Sequence, residues 1–183
     1  MNKAMTLPAV FIALCFLLTT GCKREAELYY DATEYAVDIT GYGYTSEQDV
    51  ECCVIFKADK FYDYIGWRIV EIRLFNPDQS TAISYTPEVY EARAGISNPD
   101  GLVSRNPAPS EITSLNWKTI ELDTPVTIEA ATDYWAGYKV TALPDQYPLA
   151  AGAEPDYANS YLSTGSGFSP VTQNWVMRIV VRK

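Results

Sequence analysis

The sequence contains no histidine. That absence excludes a Ser-His-Asp triad, a Cys-His dyad and every zinc site that needs an imidazole. Basic residues are scarce: 14 Lys and Arg stand against 23 Asp and Glu, giving a formal net charge of −9 and a pI of about 4.5. A chain so acidic cannot neutralise a row of phosphates, which argues against a nucleic-acid partner. It also disfavours direct adhesion to anionic lipid head groups. No glycine-rich phosphate loop, EF-hand spacing or repeat of fixed period is present. What is present is 48% apolar residues, enough for a globular core, in a chain of 183 residues that suits one domain.

The one long apolar run lies near the N-terminus, over residues 7–18, behind Asn2 and Lys3. It falls short of the roughly 20 residues that span a bilayer and has the length of a signal-peptide core. It ends in Leu18, Thr19, Thr20, Gly21 and Cys22. These residues resemble the lipobox of a bacterial lipoprotein precursor, although Leu18 stands one place further from the cysteine than usual. The resemblance implies cleavage of residues 1–21, lipidation of Cys22 and membrane anchoring through that lipid. Several acyl chains on one cysteine anchor stably, where a single chain holds only marginally. The alternative is an ordinary secretory signal with an incidental cysteine. Lys23, Arg24, Glu25, Ala26 and Glu27 follow. A lysine followed by acidic residues is similar to the surface-export signal of Bacteroidetes lipoproteins, and it implies an outer-membrane protein facing the cell exterior.

Cysteine is as sparse as histidine is absent. Cys15 leaves with the signal and Cys22 takes the lipid, so only Cys52 and Cys53 remain. Neighbours on a strand point to opposite faces. One thiol is therefore expected in the core as a small hydrophobe, with the other facing out or at a sheet margin. A vicinal disulfide or a thiol metal site are the alternatives, but the first needs strained geometry and the second lacks ligands.

Residues 22–46 read as lipidated Cys22, tether and a possible first strand at 36–39, with Gly41 and Gly43 punctuating a turn. Residues 47–183 read as one domain of short strands separated by turn signals. Strands are expected over 50–56, 67–75, 83–92, 102–104, 116–122, 126–128, 133–140 and 174–182, with weaker ones near Leu149 and Tyr161. In the second of these, Val70, Ile72 and Leu74 share one face. Pro87 points to an edge or a bulge. In the last, Trp175, Met177, Ile179 and Val181 share one face. A short helical turn is expected over 58–64. About 8–10 strands without a long helix specify an all-β fold, an antiparallel β-sandwich.

The order of these elements carries a second resemblance. Residues 69–75, 89–92, 101–104, 117–128, 134–138 and 174–179 together look like the jelly-roll-type accessory β-sandwich of Bacteroidetes and related secreted or surface proteins. There the domain is often appended to exported peptidases, and it brings no settled catalytic residues. The resemblance therefore implies a jelly-roll-like fold and a non-catalytic binding or adhesion module for glycan or protein. The alternatives are a structural envelope lipoprotein or assembly subunit, and a small hydrolase using two carboxylates.

Trp67, Trp117, Trp135 and Trp175 fall in strands and are expected in the core. Tyr147, Tyr157, Tyr161 and Phe168 fall in the Pro- and Gly-rich segment 144–170 and are the candidate binding residues, since loops carry function on rigid scaffolds. Asp145, Glu154 and Asp156 share that segment and could offer oxygen ligands to calcium. Apart from the lipid on Cys22, no cofactor and no other metal site is expected.

Overall fold

The computed structural model describes residues 24–29, 39–95, 98–99, 101–106, 108–152 and 159–183. The expected signal peptide, Cys22 and residues 36–38 of the strand expected at 36–39 lie outside the described residues. The strands are β1 (Glu25–Leu28), β2 (Ile39–Tyr42), β3 (Gln48–Phe56), β4 (Arg68–Asn76), β5 (Ile83–Arg93), β6 (Gly101–Arg105) and β7 (Ser110–Ile112). They continue with β8 (Asn116–Thr127), β9 (Thr132–Ala142), β10 (Leu149–Gly152), β11 (Ser160–Ser163), β12 (Ser169–Pro170), β13 (Asn174–Trp175) and β14 (Met177–Arg182). The turn expected at 58–64 is a 3-10 helix over Ala58–Tyr64 that buries Phe61.

One sheet runs β1-β14-β4-β8 and the facing one runs β12-β11-β3-β9-β5-β6, all antiparallel. The chain crosses between sheets at most connections, and among the described residues β5–β6, β6–β7 and β11–β12 stay within one. Neighbours in each sheet are therefore far apart in sequence, such as β1 with β14 and β3 with β9. This interleaving is the jelly-roll order of two Greek keys. The fold is thus an all-β antiparallel jelly-roll sandwich. Among the described residues, eleven strands build its two sheets, with β7 joining the longer one through β5. A small third sheet, β13-β10-β2, lies over Phe75 and Trp117 through Ala150, Val176 and Ile39.

The core lies between the sheets. Val50, Cys52, Val54 and Phe56 of β3 meet Ile69, Ile72 and Leu74 of β4, with Trp175, Met177, Ile179 and Val181 from the C-terminal strands. The alternation expected for residues 174–182 thus holds. In β4 it does not: a register shift between Ile69 and Glu71 puts Ile69, rather than Val70, into the core with Ile72 and Leu74. A bulge inserts one residue and flips the faces on either side of it. The strands expected over 116–122 and 126–128 are largely one, because β8 continues through Asp123, Thr124 and Pro125 and regains β4 at Val126. Pro87 sits inside the sheet, between the end of β5's pairing with β7 at Tyr85 and the start of its pairing with β6 at Glu88. A residue without an N–H fits where the partner strand changes.

Within the segment 22–46, β1 pairs with β14 and β2 pairs with β10. One further expectation needs correction: both thiols are buried rather than one, as free cysteines. Cys52 faces the core. Cys53 sits on the outer face of its sheet, where Trp135, Ile55, Ala92, Tyr90, Tyr161 and Phe168 form a second apolar cluster over it. Apart from Ile55, residues 37 to 115 positions away in sequence provide that cover, so alternation within β3 does not report it. Gly137 is required here, since a Cβ at that position would run into the Cys52 carbonyl oxygen and the Cys53 sulfur.

Candidate functional site

Because strands alternate between the sheets, the β4–β5, β7–β8 and β9–β10 connections emerge at the same end of the sandwich, beside β2. Together they enclose an open cleft of about 730 Å³ lined by Ile39, Thr40, Gly41, Pro77, Asp78, Gln79, Ser80, Leu115, Asp145 and Tyr147. That volume lies in the range of small-ligand sites.

The floor is fixed by two buried polar residues at the end of β4. Asn76 donates through Nδ2 to the carbonyl oxygens of Thr81 and Ile112, both at 2.9 Å, and its Oδ1 accepts the Asp78 N–H at 3.0 Å. Asp78 Oδ1 accepts from the Ser80 N–H (2.9 Å), the Ser80 hydroxyl (3.1 Å) and the Thr81 N–H (2.8 Å). Its Oδ2 accepts the Tyr147 N–H at 3.0 Å, and the Ser114 hydroxyl donates to its backbone oxygen at 2.6 Å. The Tyr85 hydroxyl donates to the Pro148 carbonyl at 3.0 Å. Asp78 thus ties three connections together, two through its side chain and the third through its backbone oxygen. Burial pushes the Asp78 carboxyl up, but the N–H groups of Ser80, Tyr147 and Thr81 outweigh it and hold the group below its usual range. With four donors already on it, this carboxylate has little left for a ligand or a proton transfer.

The walls are more open. Tyr147 is 52% exposed and Leu115 is 56% exposed, and both are large apolar side chains turned to solvent. Leu115 (φ 51°) and Asp145 (φ 64°) hold left-handed backbone conformations. Aspartate tolerates that region, whereas for leucine it is strained. An exposed leucine kept in a strained turn has no core to serve, and such strain gathers at functional sites. Gly41 lies under Tyr147, where a Cβ would meet the tyrosine Cβ at 3.0 Å, and a Cβ at Gly43 would strike the Gln146 carbonyl oxygen. The two glycines do not make the expected turn. They let the 146–147 segment close onto β2.

The structure separates the four aromatic candidates. Tyr147 lines the cleft. Tyr161 lies in β11 with its ring centroid 4.4 Å from Trp135, and Phe168 is 5.5 Å from Tyr90 and 5.6 Å from Trp135. Those two pack over the outer face of the long sheet and are not free platforms. Tyr157 lies outside the described residues. Trp135 and Trp175 are buried, as expected, and Trp67 packs against the core. Trp117 instead faces outward, under the Arg178 and Arg73 guanidiniums at 4.7 and 5.7 Å from its ring. Sequence reasoning missed Leu115, Pro77, Asp78 and the strand Ile39–Tyr42. Asn76, Pro77 and Asp78 are turn-forming residues, and in sequence such residues mark the end of a strand rather than a site.

For calcium, Asp145 is exposed, and Glu154 and Asp156 lie outside the described residues. Among the described residues no three His, Cys, Asp or Glu side chains gather as a metal site would need. A carboxylate pair does occur on the outer face of the long sheet. Glu88 pairs with Arg105 at 3.3 Å and accepts the Tyr90 hydroxyl at 2.8 Å, while burial and nearby Glu88 push the Glu51 carboxyl up. The buried Cys52 thiol is also pushed far up by desolvation, away from the thiolate form that a nucleophile needs. Among the described residues no helix is long and apolar enough to cross a membrane.

Fold and cleft together define a jelly-roll sandwich with an open site at one end. No family model matches the chain, and no curated protein matches it. Among solved structures it is similar to a Clostridial cysteine protease, Cwp84, after propeptide cleavage, at 10% identity and a TM-score of 0.53, over 86% of this chain and 40% of that one. A second structure, of the cysteine protease and lectin-like domains of Cwp84, a surface layer associated protein of Clostridium difficile, has 10% identity and a TM-score of 0.49, over 82% and 37%. This chain spans about two fifths of the length of those proteins. The likeness is one of fold.

Proposed function

We propose that this chain is a lipid-anchored, non-catalytic binding module, held at the outer membrane through Cys22 and facing the cell exterior. Its end cleft takes a glycan or a segment of protein. The observation that carries this reading is the end cleft, about 730 Å³ and walled by the solvent-facing Tyr147 and Leu115. An exposed ring on a rigid floor gives a ligand a stacking face at little entropic cost. The chain's own chemistry supports binding over turnover: it has no histidine, the Asp78 carboxylate is engaged by the loops, and the thiols are buried. Mass spectrometry of the membrane fraction is expected to find an acylated Cys22, and a Cys22→Ser variant is expected in the soluble fraction. An unmodified, soluble wild-type chain would overturn the anchoring. A glycan array and a pull-down with the full chain test the binding, and blanks in both would remove the reading.

A second reading, an envelope assembly subunit, has one observation in its favour. β2 ends its sheet among the described residues and leaves an open strand edge, which is a template for another chain.

A further inference from the structure

We infer that the end cleft takes its partner as an added β-strand: an extended, uncharged or basic segment of another protein laid along the free edge of β2. This rests on the reading that the cleft is the binding site, and it names the ligand class.

Three consecutive residues of β2, Ile39, Thr40 and Gly41, line the cleft. Side chains of successive strand residues point to opposite faces, so a cleft over one face would touch alternate residues. Contact with all three means that the cleft runs along the backbone edge. β10 occupies one side of β2 through the register Leu149 to Tyr42 and Gly152 to Ile39, and among the described residues nothing pairs with the other side. The N–H and C=O groups that point away from β10 are therefore available to a main chain.

The remaining edges are guarded against such pairing. β1 carries Glu25 and Glu27, β8 carries Lys118, Glu121, Asp123 and Pro125, β6 ends in Arg105, β7 carries Glu111 and β12 ends in Pro170. β13 is uncharged, but both of its residues are buried. β2 alone among the described exposed edges, with the sequence Ile-Thr-Gly-Tyr, has neither charge nor proline. Charges and prolines are the usual devices that keep a strand edge from recruiting another chain, and this edge lacks both. In the cleft, Leu115, together with Tyr147 and Pro77 beside Gly41, offers apolar seats for the alternate side chains of an incoming strand, while main-chain bonds supply affinity. The lining holds Asp145 and Asp78 and no Lys or Arg, in a chain of net charge −9, so an acidic segment is repelled. Four residues of β2 match about 13 Å of extended partner.

The test uses the full chain and a displayed library of random dodecapeptides. Selected peptides are expected to alternate apolar residues and to avoid Asp and Glu. Thr40→Lys places on β2 the kind of charge the other edges carry, on an exposed side chain, and is expected to weaken their binding at least tenfold. Leu115→Asp on the facing wall is expected to do the same. N-methylation of alternate backbone nitrogens in a selected peptide is expected to abolish binding along one register and spare the other. No enriched peptide, or enriched peptides indifferent to Thr40→Lys and to N-methylation, would overturn the inference. So would a self-association, seen by sedimentation and removed by Thr40→Lys, because the occupant would then be a second copy. Glycans that bind at the cleft with no peptide enriched would overturn the strand and leave the binding module standing. Silence in every assay would remove both.

Discussion

Asp78 is the residue on which the end of the molecule turns. Its carboxylate joins Ser80, Thr81 and Tyr147. Asp78→Ala would leave three backbone N–H groups without their acceptor, and a buried unmade hydrogen bond costs about 1–3 kcal/mol. The variant is expected to lose roughly 2 kcal/mol in urea unfolding and to show faster amide exchange at Tyr147, with the distant Trp135 cluster unchanged. Equal stability would show that solvent replaces this carboxylate. At this scale the sequence was readable in part. Tyr147 stood out because a Pro- and Gly-rich segment exposes its aromatics. Tyr161 and Phe168 share that composition yet pack on Trp135, a partner that only the assembled sheet supplies.

Among the elements, the strands were legible because alternation records which face meets the core. The C-terminal run from Trp175 to Val181 shows this directly. The bulge in β4 was not legible, since it arises from the registers of β8 and β14 against β4 and leaves no local mark beyond apolar residues on both sides. The β7–β8 turn was equally silent, because nothing in a leucine announces a positive φ. Leu115→Gly tests what that strain is for. A left-handed leucine costs roughly 1–2 kcal/mol, so the glycine variant is expected to be as stable as the wild type or up to about 1 kcal/mol more so. It is also expected to bind any cleft ligand more weakly, because one apolar wall is gone. A large loss of stability would instead make Leu115 a structural residue.

For the whole molecule, acidity and the lack of histidine set the response to pH. Burial pushes the Glu27 carboxyl up, but hydrogen bonds and charge from Arg73 and Arg178 prevail and lower it, as the loop N–H groups lower Asp78. A carboxyl lowered in the folded state contributes stability that is present above its unfolded pKa and lost as pH falls through the folded one. Glu51, raised by burial and by Glu88, runs the other way and offsets part of the loss. The urea midpoint is therefore expected to stay level from pH 6 to 8, about the range in which histidine would titrate, and to fall below about pH 4. A marked slope near neutrality would point to a titrating group outside these residues.

The central claim is that the cleft at the end of the sandwich is where this protein meets its partner. Side-by-side probing of the wild type and Tyr147→Ala, on the same glycan array and the same peptide library, tests it most directly. Tyr147 is exposed, so the variant is expected to keep the wild-type unfolding midpoint and to lose at least tenfold in binding to every ligand the wild type selects. Undiminished binding by a folded Tyr147→Ala chain would contradict the claim and move the site elsewhere on the molecule.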